Sequence, residues 1–449
     1  MQHRNTMIAG IATVVIAAAL LFSWVTLDDQ ENITLSERFI DAIDDGNYEA
    51  LFDMLDDSAK ETIGDSENLG NIVKTSMAQL ESAFGGYLGK TDTHGTVPTS
   101  DETGDYTVLL FERSGVRLIT GQNEGKVTSF FFNVGDKPSD AVLPENLSEK
   151  TVSIKTNDLW ELPGLLTTSN TGSKTAAVLV HGSGAHGMNC EIGGNMIFQQ
   201  IAWGLADKGI DVLRYDKRTY ADPFLTGTDP SLLDIQFETI DDAVSAGKML
   251  KSMGYEKVYV IGHSLGAMMV PAIVEQSEGA FDGMISLAGS PRSLSEIQYD
   301  QNMASISIIE DPVLKQQYLD IINGEMTTYR NLASMSEEEV MKTTIFGLPA
   351  YYVRSMVSLN IADTARSLDV PMLFLQGKED FQVDPEKDYG AWIDILDDKE
   401  SASFMLYLGL NHLFCISTGP GQGTVDEYYN EMIVNPTVIN DIVEFMLSE

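Results

Sequence analysis

Ser264 sits between two glycines in the run Gly262-His263-Ser264-Leu265-Gly266. A serine hydroxyl is a weak nucleophile until a neighbouring imidazole takes its proton, and that imidazole needs a carboxylate to hold its tautomer and stabilise its charge. The setting suits such a role. The apolar run ValTyrValIle precedes the motif as a strand, and AlaMetMetValProAlaIleVal follows it with a helical pattern. A sharp turn between them would strain the serine backbone and project its hydroxyl above the sheet, while the flanking glycines let strand and helix approach.

The partners follow from chain order. In this type of turn the acid comes after the serine and the histidine last, and His412 is the only histidine C-terminal to Ser264. It lies in Gly409-Leu410-Asn411-His412, just past the last predicted strand. The acid belongs on the loop after the preceding strand, where Gly377-Lys378-Glu379-Asp380 stands; Asp380 is the first choice, with Glu379 and Asp384 as rivals. Acyl transfer also needs N–H donors for a tetrahedral oxyanion. One is the amide of Leu265, directly after the serine. The other comes from His181-Gly182-Ser183-Gly184, after the strand ThrAlaAlaValLeuVal, as the amide of Ser183 or alternatively of Gly184. A phosphate-cradling loop is the competing reading there, but the Lys and Thr of such a loop are absent. His181 and His263 read as structural parts of their motifs. Asp216 to Thr219 reads as a charged run that ties loops together rather than one that meets substrate.

The elements that must carry these residues fall into two parts. Apolar spacing at Phe39, Ile40 and Ile43 predicts a helix over residues 33–46; further helices start near Tyr48 and cover residues 71–84. Alternation then predicts strands over 105–111, 116–120 and 126–133, which together make a small α+β domain over 31–137. Residues 138–148, which contain Pro138 and Pro144, are expected to form a linker. From residue 149 to 449 short apolar strands alternate with helices, the pattern of a mostly parallel, doubly covered sheet. Strands are expected at 175–180, 211–215, 257–261, 283–288, 370–375 and 403–408, with helices at 198–208, 240–253, 265–276 and 438–447. Between 291 and 368 the alternation stops, which predicts a helical cap inserted into the sheet domain.

The chain has 449 residues, and its 67 acidic against 28 basic residues give a formal net charge of -39. Phosphates would be repelled, so nucleic acid is not an expected partner. The two cysteines, Cys190 and Cys415, provide neither a disulfide framework nor a zinc pattern; one bridge or two separate thiols both remain open. No metal or other cofactor is expected. Residues 7–25 (MIAGIATVVIAAALLFSWV) are long enough to cross a bilayer as a helix, with Arg4 before and Asp28 and Asp29 after. The positive-inside rule sends the rest of the chain outwards. Residues 1–30 are thus expected to be a transmembrane anchor, or a signal segment if cleaved, and the protein extracytoplasmic or secreted accordingly.

The stretches ValLeuValHisGlySerGly, IleAlaTrpGlyLeuAlaAspLysGlyIleAspValLeuArgTyrAspLysArgThr and IleGlyHisSerLeuGlyAla resemble the α/β-hydrolase carboxylesterases related to dienelactone hydrolase and the prolyl oligopeptidase group. Residues 33–137 are similar to the nuclear-transport-factor-2-like domain that precedes some of them. The resemblance implies a metal-free mechanism on small acyl esters, carried by Ser264, Asp380 and His412. After HisGlySerGly such enzymes commonly continue with proline, asparagine and acidic residues, whereas this loop reads Ala185-His186-Gly187-Met188-Asn189-Cys190. A serine peptidase, a thioesterase, or a surface binding protein with a degenerate hydrolase domain are the alternatives.

Overall fold

The computed structural model describes residues 34–448 apart from 99–102, 136, 138–140, 158–159 and 223–232. The apolar run at 7–25 lies outside the described residues; among those described, no helix is long and apolar enough to cross a membrane. The chain divides into two compact units, one comprising residues 1–140 with 219–229, the other 141–218 with 230–449.

In the first unit, helices α1 (Leu35–Asp44), α2 (Tyr48–Met54), α3 (Asp57–Ile63) and α4 (Ser66–Phe84) precede a four-stranded antiparallel meander, β1 (Tyr87–Pro98), β2 (Thr103–Phe111), β3 (Gly115–Asn123) and β4 (Lys126–Val134). Side chains at the helix starts explain where all four begin, Asn47 accepting the Ala50 amide at the start of α2. Thr34 forms a capping box with Glu37, and Asp56 and Asp65 accept the free amides of α3 and α4. Phe39, Ile40 and Ile43 face the core as their spacing predicts, with Val116, Leu118 and Val127 of the sheet. Three features depart from the sequence expectation. The helix α3 is additional, α4 begins at Ser66 rather than near residue 71, and β1 precedes the first expected strand. The centre of β1, GlyLysThrAspThrHisGly, holds no large apolar residue, so it carries no hydrophobic alternation to read.

The second unit is built on an eight-stranded sheet. Its strands are β5 (Leu147–Asn157), β6 (Trp160–Ser169), β7 (Thr175–Val180), β8 (Asp211–Tyr215), β9 (Lys257–His263), β10 (Gly283–Leu287), β11 (Met372–Gly377) and β12 (Ala402–Tyr407). Their order across the sheet is β12-β11-β10-β9-β7-β8-β6-β5. The six strands from β12 to β8 are parallel, while β6 runs antiparallel to both of its neighbours, β8 and β5, so the sheet is mixed. The domain thus opens with an antiparallel hairpin, β5 and β6, ahead of the first expected strand at 175–180. Strands β8, β10 and β11 are buried at every residue, as expected when both faces are covered. Covering helices include α5 (Ile197–Asp207), α6 (Asp241–Ser252) and α7 (Leu265–Gln276).

A helical insertion between β10 and β11, the segment expected to form the cap, falls where the alternation stops. It comprises α8 (Leu294–Ser307), α9 (Pro312–Asn331), α10 (Glu337–Lys342), α11 (Ala350–Val357) and α12 (Ile361–Ser367). Capping boxes at Ser293 with Glu296 and Ser336 with Glu339 start α8 and α10, and Asp311 followed by Pro312 starts α9. Leu332, Val340, Ile345, Ala350 and Val353 give the cap a small core of its own. A two-residue hairpin, Thr344–Ile345 with Leu348–Pro349, lies inside it and was not anticipated. The sheet then resumes, and α13 (Pro436–Ser448) closes the unit.

Candidate active site

Strand β9 runs directly into Ser264, which sits at φ 55° and ψ −117° before α7 begins at Leu265. A non-glycine residue in this left-handed region is strained and must be held by its surroundings. The Ser264 amide donates to the Leu287 carbonyl at 2.9 Å, which pins the turn to the next strand. The glycines are required by close approach. A Cβ at Gly266 would lie 2.4 Å from the Val180 carbonyl oxygen, and one at Gly262 would lie 2.4 Å from the Gly266 carbonyl. The loop after β7 also packs on the serine: a Cβ at Gly182 would stand 3.2 Å from Ser264 Cβ.

Asp380 and His412 come together on the loops after β11 and β12. Gly377 makes this possible, because a Cβ there would meet the carbonyl oxygens of Leu410 and Asn411 at 2.4 and 2.5 Å. The Asp380 carboxylate accepts from the amides of Gln382 (2.8 Å) and Val383 (2.9 Å) through Oδ1. Its Oδ2 accepts from Gln376 Nε2 at 2.8 Å and lies 2.8 Å from His412 Nδ1. A proton on Nδ1 aimed at the carboxylate leaves the lone pair on Nε2, the tautomer a general base requires. The rivals are engaged elsewhere: Glu379 is exposed, and Asp384 caps the following helical turn through the amides of Glu386 and Lys387.

His263 joins the two halves of the site. Its Nε2 lies 3.0 Å from the His412 carbonyl oxygen, and the two rings are 4.7 Å apart. Burial, reinforced by His412, pushes the His263 imidazole down to about 3, so it stays neutral and donates to that carbonyl. His181 is also buried and structural, with Nε2 3.1 Å from the Gly187 carbonyl. Both follow the sequence expectation.

As the first residue of α7, Leu265 has an N–H that the helix's own hydrogen-bond ladder does not use. Ser183 and Gly184 are exposed on the loop after β7, Gly184 at φ 90°. His186 Nε2 lies 2.8 Å from the Ser183 carbonyl, bracing the loop across its own turn. The charged run after β8 ties loops together, as anticipated. Asp216 accepts from the Met188 amide at 2.8 Å, Lys217 donates to the Gly182 carbonyl at 3.0 Å, and Arg218 is paired with Asp242 in full burial.

Both cysteines are free and buried, which removes the bridge left open by the sequence. Burial pushes each thiol up to about 12. Sequence reasoning missed two supporting residues: Gln376 and Asn411. Asn411 accepts from the amides of Leu413 (3.0 Å) and Cys415 (3.2 Å) and donates to Glu427 at 3.1 Å, shaping the turn that presents His412. Only its position next to His412 could have pointed to it.

A serine held in a left-handed turn between a parallel strand and a helix, with a buried histidine–aspartate pair on the loops after the last two strands, defines a serine hydrolase of α/β-hydrolase architecture. Residues 173–415 match the family described as "Serine aminopeptidase, S33", a stretch that contains all three residues. Esterase EstD of Thermotoga maritima is 33% identical over 419 residues, spanning 91% of this chain and 94% of that protein. Among solved structures, Est1E from Butyrivibrio proteoclasticus is similar at 16% identity and TM-score 0.42, over 66% of this chain and 98% of that one. The Pyrococcus furiosus esterase Pf2001 is similar at 14% identity and TM-score 0.41, over 67% and 91%. The chain belongs to the α/β-hydrolase esterase family and is a carboxylesterase-type serine hydrolase.

Proposed function

We propose that Ser264 attacks the carbonyl of a small carboxylic ester, with His412 as general base and Asp380 holding its imidazole. The Ser264 proton passes to His412 Nε2 as the C–O bond to the serine forms; the imidazolium then protonates the departing alcohol. Water, deprotonated by His412, hydrolyses the acyl-enzyme and restores the serine. The amides of Leu265 and Ser183 stabilise the oxyanion in both steps, with Gly184 as the alternative donor. The observation that carries this reading is the 2.8 Å contact between His412 Nδ1 and an Asp380 carboxylate saturated by three further donors, on a loop that His263, the residue before Ser264, reaches through the His412 carbonyl.

An ester panel of graded acyl length tests it. A maximum at acetyl or butyryl supports the small-ester assignment. Turnover confined to aminoacyl anilides would favour the peptidase reading, which the description of the matching family raises.

Two further parts belong to the same proposal. Residues 7–25 tether the enzyme so that the hydrolase works outside the cytoplasmic membrane, a reading supported by their unbroken apolar character and the flanking charges. Residues 31–137 form a nuclear-transport-factor-2-like domain, supported by four helices preceding a four-stranded antiparallel meander. Fractionation of the full-length chain against one lacking residues 1–30 tests the tether.

A further inference from the structure

Lys217 is only 3% exposed, and a lysine taken out of water needs a partner or a task. It has both. Its ammonium lies 3.3 Å from Glu238 and donates to the Gly182 carbonyl at 3.0 Å. Its backbone amide donates to the His186 carbonyl, also at 3.0 Å, so this one residue holds the two ends of the loop 182–186. Glu238 is 5% exposed and accepts from the Tyr352 hydroxyl at 2.5 Å. Tyr352 lies on α11, in the cap.

The carbonyl of Gly182 and the N–H of Ser183 belong to one planar peptide group, and in a trans peptide they point in opposite directions. Fixing the carbonyl therefore fixes the direction of the N–H. A buried ammonium on that carbonyl also polarises the amide, strengthening its N–H as a donor. We propose that Lys217 is a positioning residue for the oxyanion donor Ser183, and that Glu238 and Tyr352 make its position depend on the docked cap. The inference rests on the reading of the Ser183 amide as an oxyanion donor. The cap then acts on chemistry through a chain of three buried polar contacts, in addition to shaping the space above the serine.

The test uses the full chain, p-nitrophenyl butyrate as substrate and an alkyl trifluoromethyl ketone as probe, since the ketone adds to the serine and places an oxyanion where the intermediate has one. Lys217→Met lowers kcat by about 30- to 100-fold, below the full loss of an oxyanion donor, and weakens the ketone by a similar factor, while KM stays within about twofold. Lys217→Arg recovers part of both. Tyr352→Phe removes one hydroxyl, keeps the buried ion pair, and lowers kcat and ketone affinity together by about 3- to 10-fold. If Lys217→Met does not fold, Tyr352→Phe decides alone.

A folded Tyr352→Phe or Lys217→Met enzyme with kcat and ketone affinity within about twofold of wild type overturns the proposal. So does a loss of melting temperature with those two parameters unmoved, the outcome of a merely structural role. Failure of the underlying reading looks different: Ser183→Pro, which removes the N–H, would then leave ketone affinity intact in a folded protein.

Discussion

Asp105 in the N-terminal unit and Asp380 in the hydrolase unit are 5% and 6% exposed, and each carboxylate is saturated by donors from its own unit. Asp105 accepts from the amides of Leu35 and Ser36, each at 2.8 Å, and from the Thr120 hydroxyl at 2.7 Å. It thereby caps the start of α1 and fastens the helix to the sheet. Asp380 likewise accepts from two amides and a side-chain amide, but its remaining contact is an imidazole. Burial and saturation are common to the two. The difference lies in the last partner: every Asp105 donor is a backbone amide or a hydroxyl, whereas Asp380 also holds the ring of His412, the proposed general base.

The comparison breaks most sharply under amide substitution. Asp380→Asn should lower kcat for ester hydrolysis by about 10⁴-fold with little change in melting temperature, because the imidazole loses its tautomer control. Steady-state kinetics and a thermal melt on one preparation check both halves; a loss under tenfold would mean that another group orients His412.

Asp105→Asn should do the reverse. It leaves helix-start amides facing a poorer acceptor and costs about 1–3 kcal/mol of stability in urea unfolding, while kcat stays within about twofold. An activity loss there without destabilisation would contradict the division of labour.

Acid should weaken the hydrolase unit. The imidazole of His263 is held at about 3 against an unfolded value near 6.5, so the unfolded chain binds more protons between those values. The stability that neutral burial permits is therefore fully present above about pH 6.5 and is lost as the pH falls towards 3. Between pH 7 and pH 5 this one group accounts for about 2 kcal/mol. His181 and His186 are displaced in the same direction, His186 to about 4, chiefly by burial and then by neighbouring positive charge. Fluorescence of Trp160, Trp203 and Trp392 reports this unit. Replacing His263 by Asn should make the pH slope of urea unfolding shallower by that amount; an unchanged slope would show that His263 is not the group being titrated.

The smallest effect concerns Cys190 and Cys415. Free, buried thiols pushed up to about 12 should not react with iodoacetamide in the folded enzyme, and both should titrate after unfolding without reductant. Fewer than two thiols in denaturant would restore the bridge.

How far the site could be read from the chain depended on whether a residue's role is local. The turn at Ser264 was legible because it is written into the neighbours of the serine: the glycines on either side are those that backbone contacts at 2.4 Å require. His412 was legible by chain order alone. Asp380 could be placed on the loop after β11, but choosing it over Glu379 and Asp384 as the residue that meets His412 needed the three-dimensional direction of each carboxylate. Lys217 was read as tying loops together, yet its hold on the Gly182 carbonyl is a contact across 35 positions and could not be seen in the sequence. The same limit applied to the fold. Buried strands such as β7 and β11 announce themselves as apolar runs, whereas β1, with its polar centre, takes its identity from pairing with β2. The hairpin of β5 and β6 was missed because β5 is largely polar and β6 carries Pro163 and Gly164 in its interior, residues that argue against a strand.

The central claim is that Ser264 is the nucleophile in a working Asp380–His412 pair. Peptide mass spectrometry after a fluorophosphonate probe tests it most directly. The account predicts one adduct per chain, on the peptide containing Ser264, absent in Ser264→Ala and formed far more slowly in Asp380→Asn. An adduct that persists in Ser264→Ala, or a folded wild-type enzyme that takes up no probe, would contradict it.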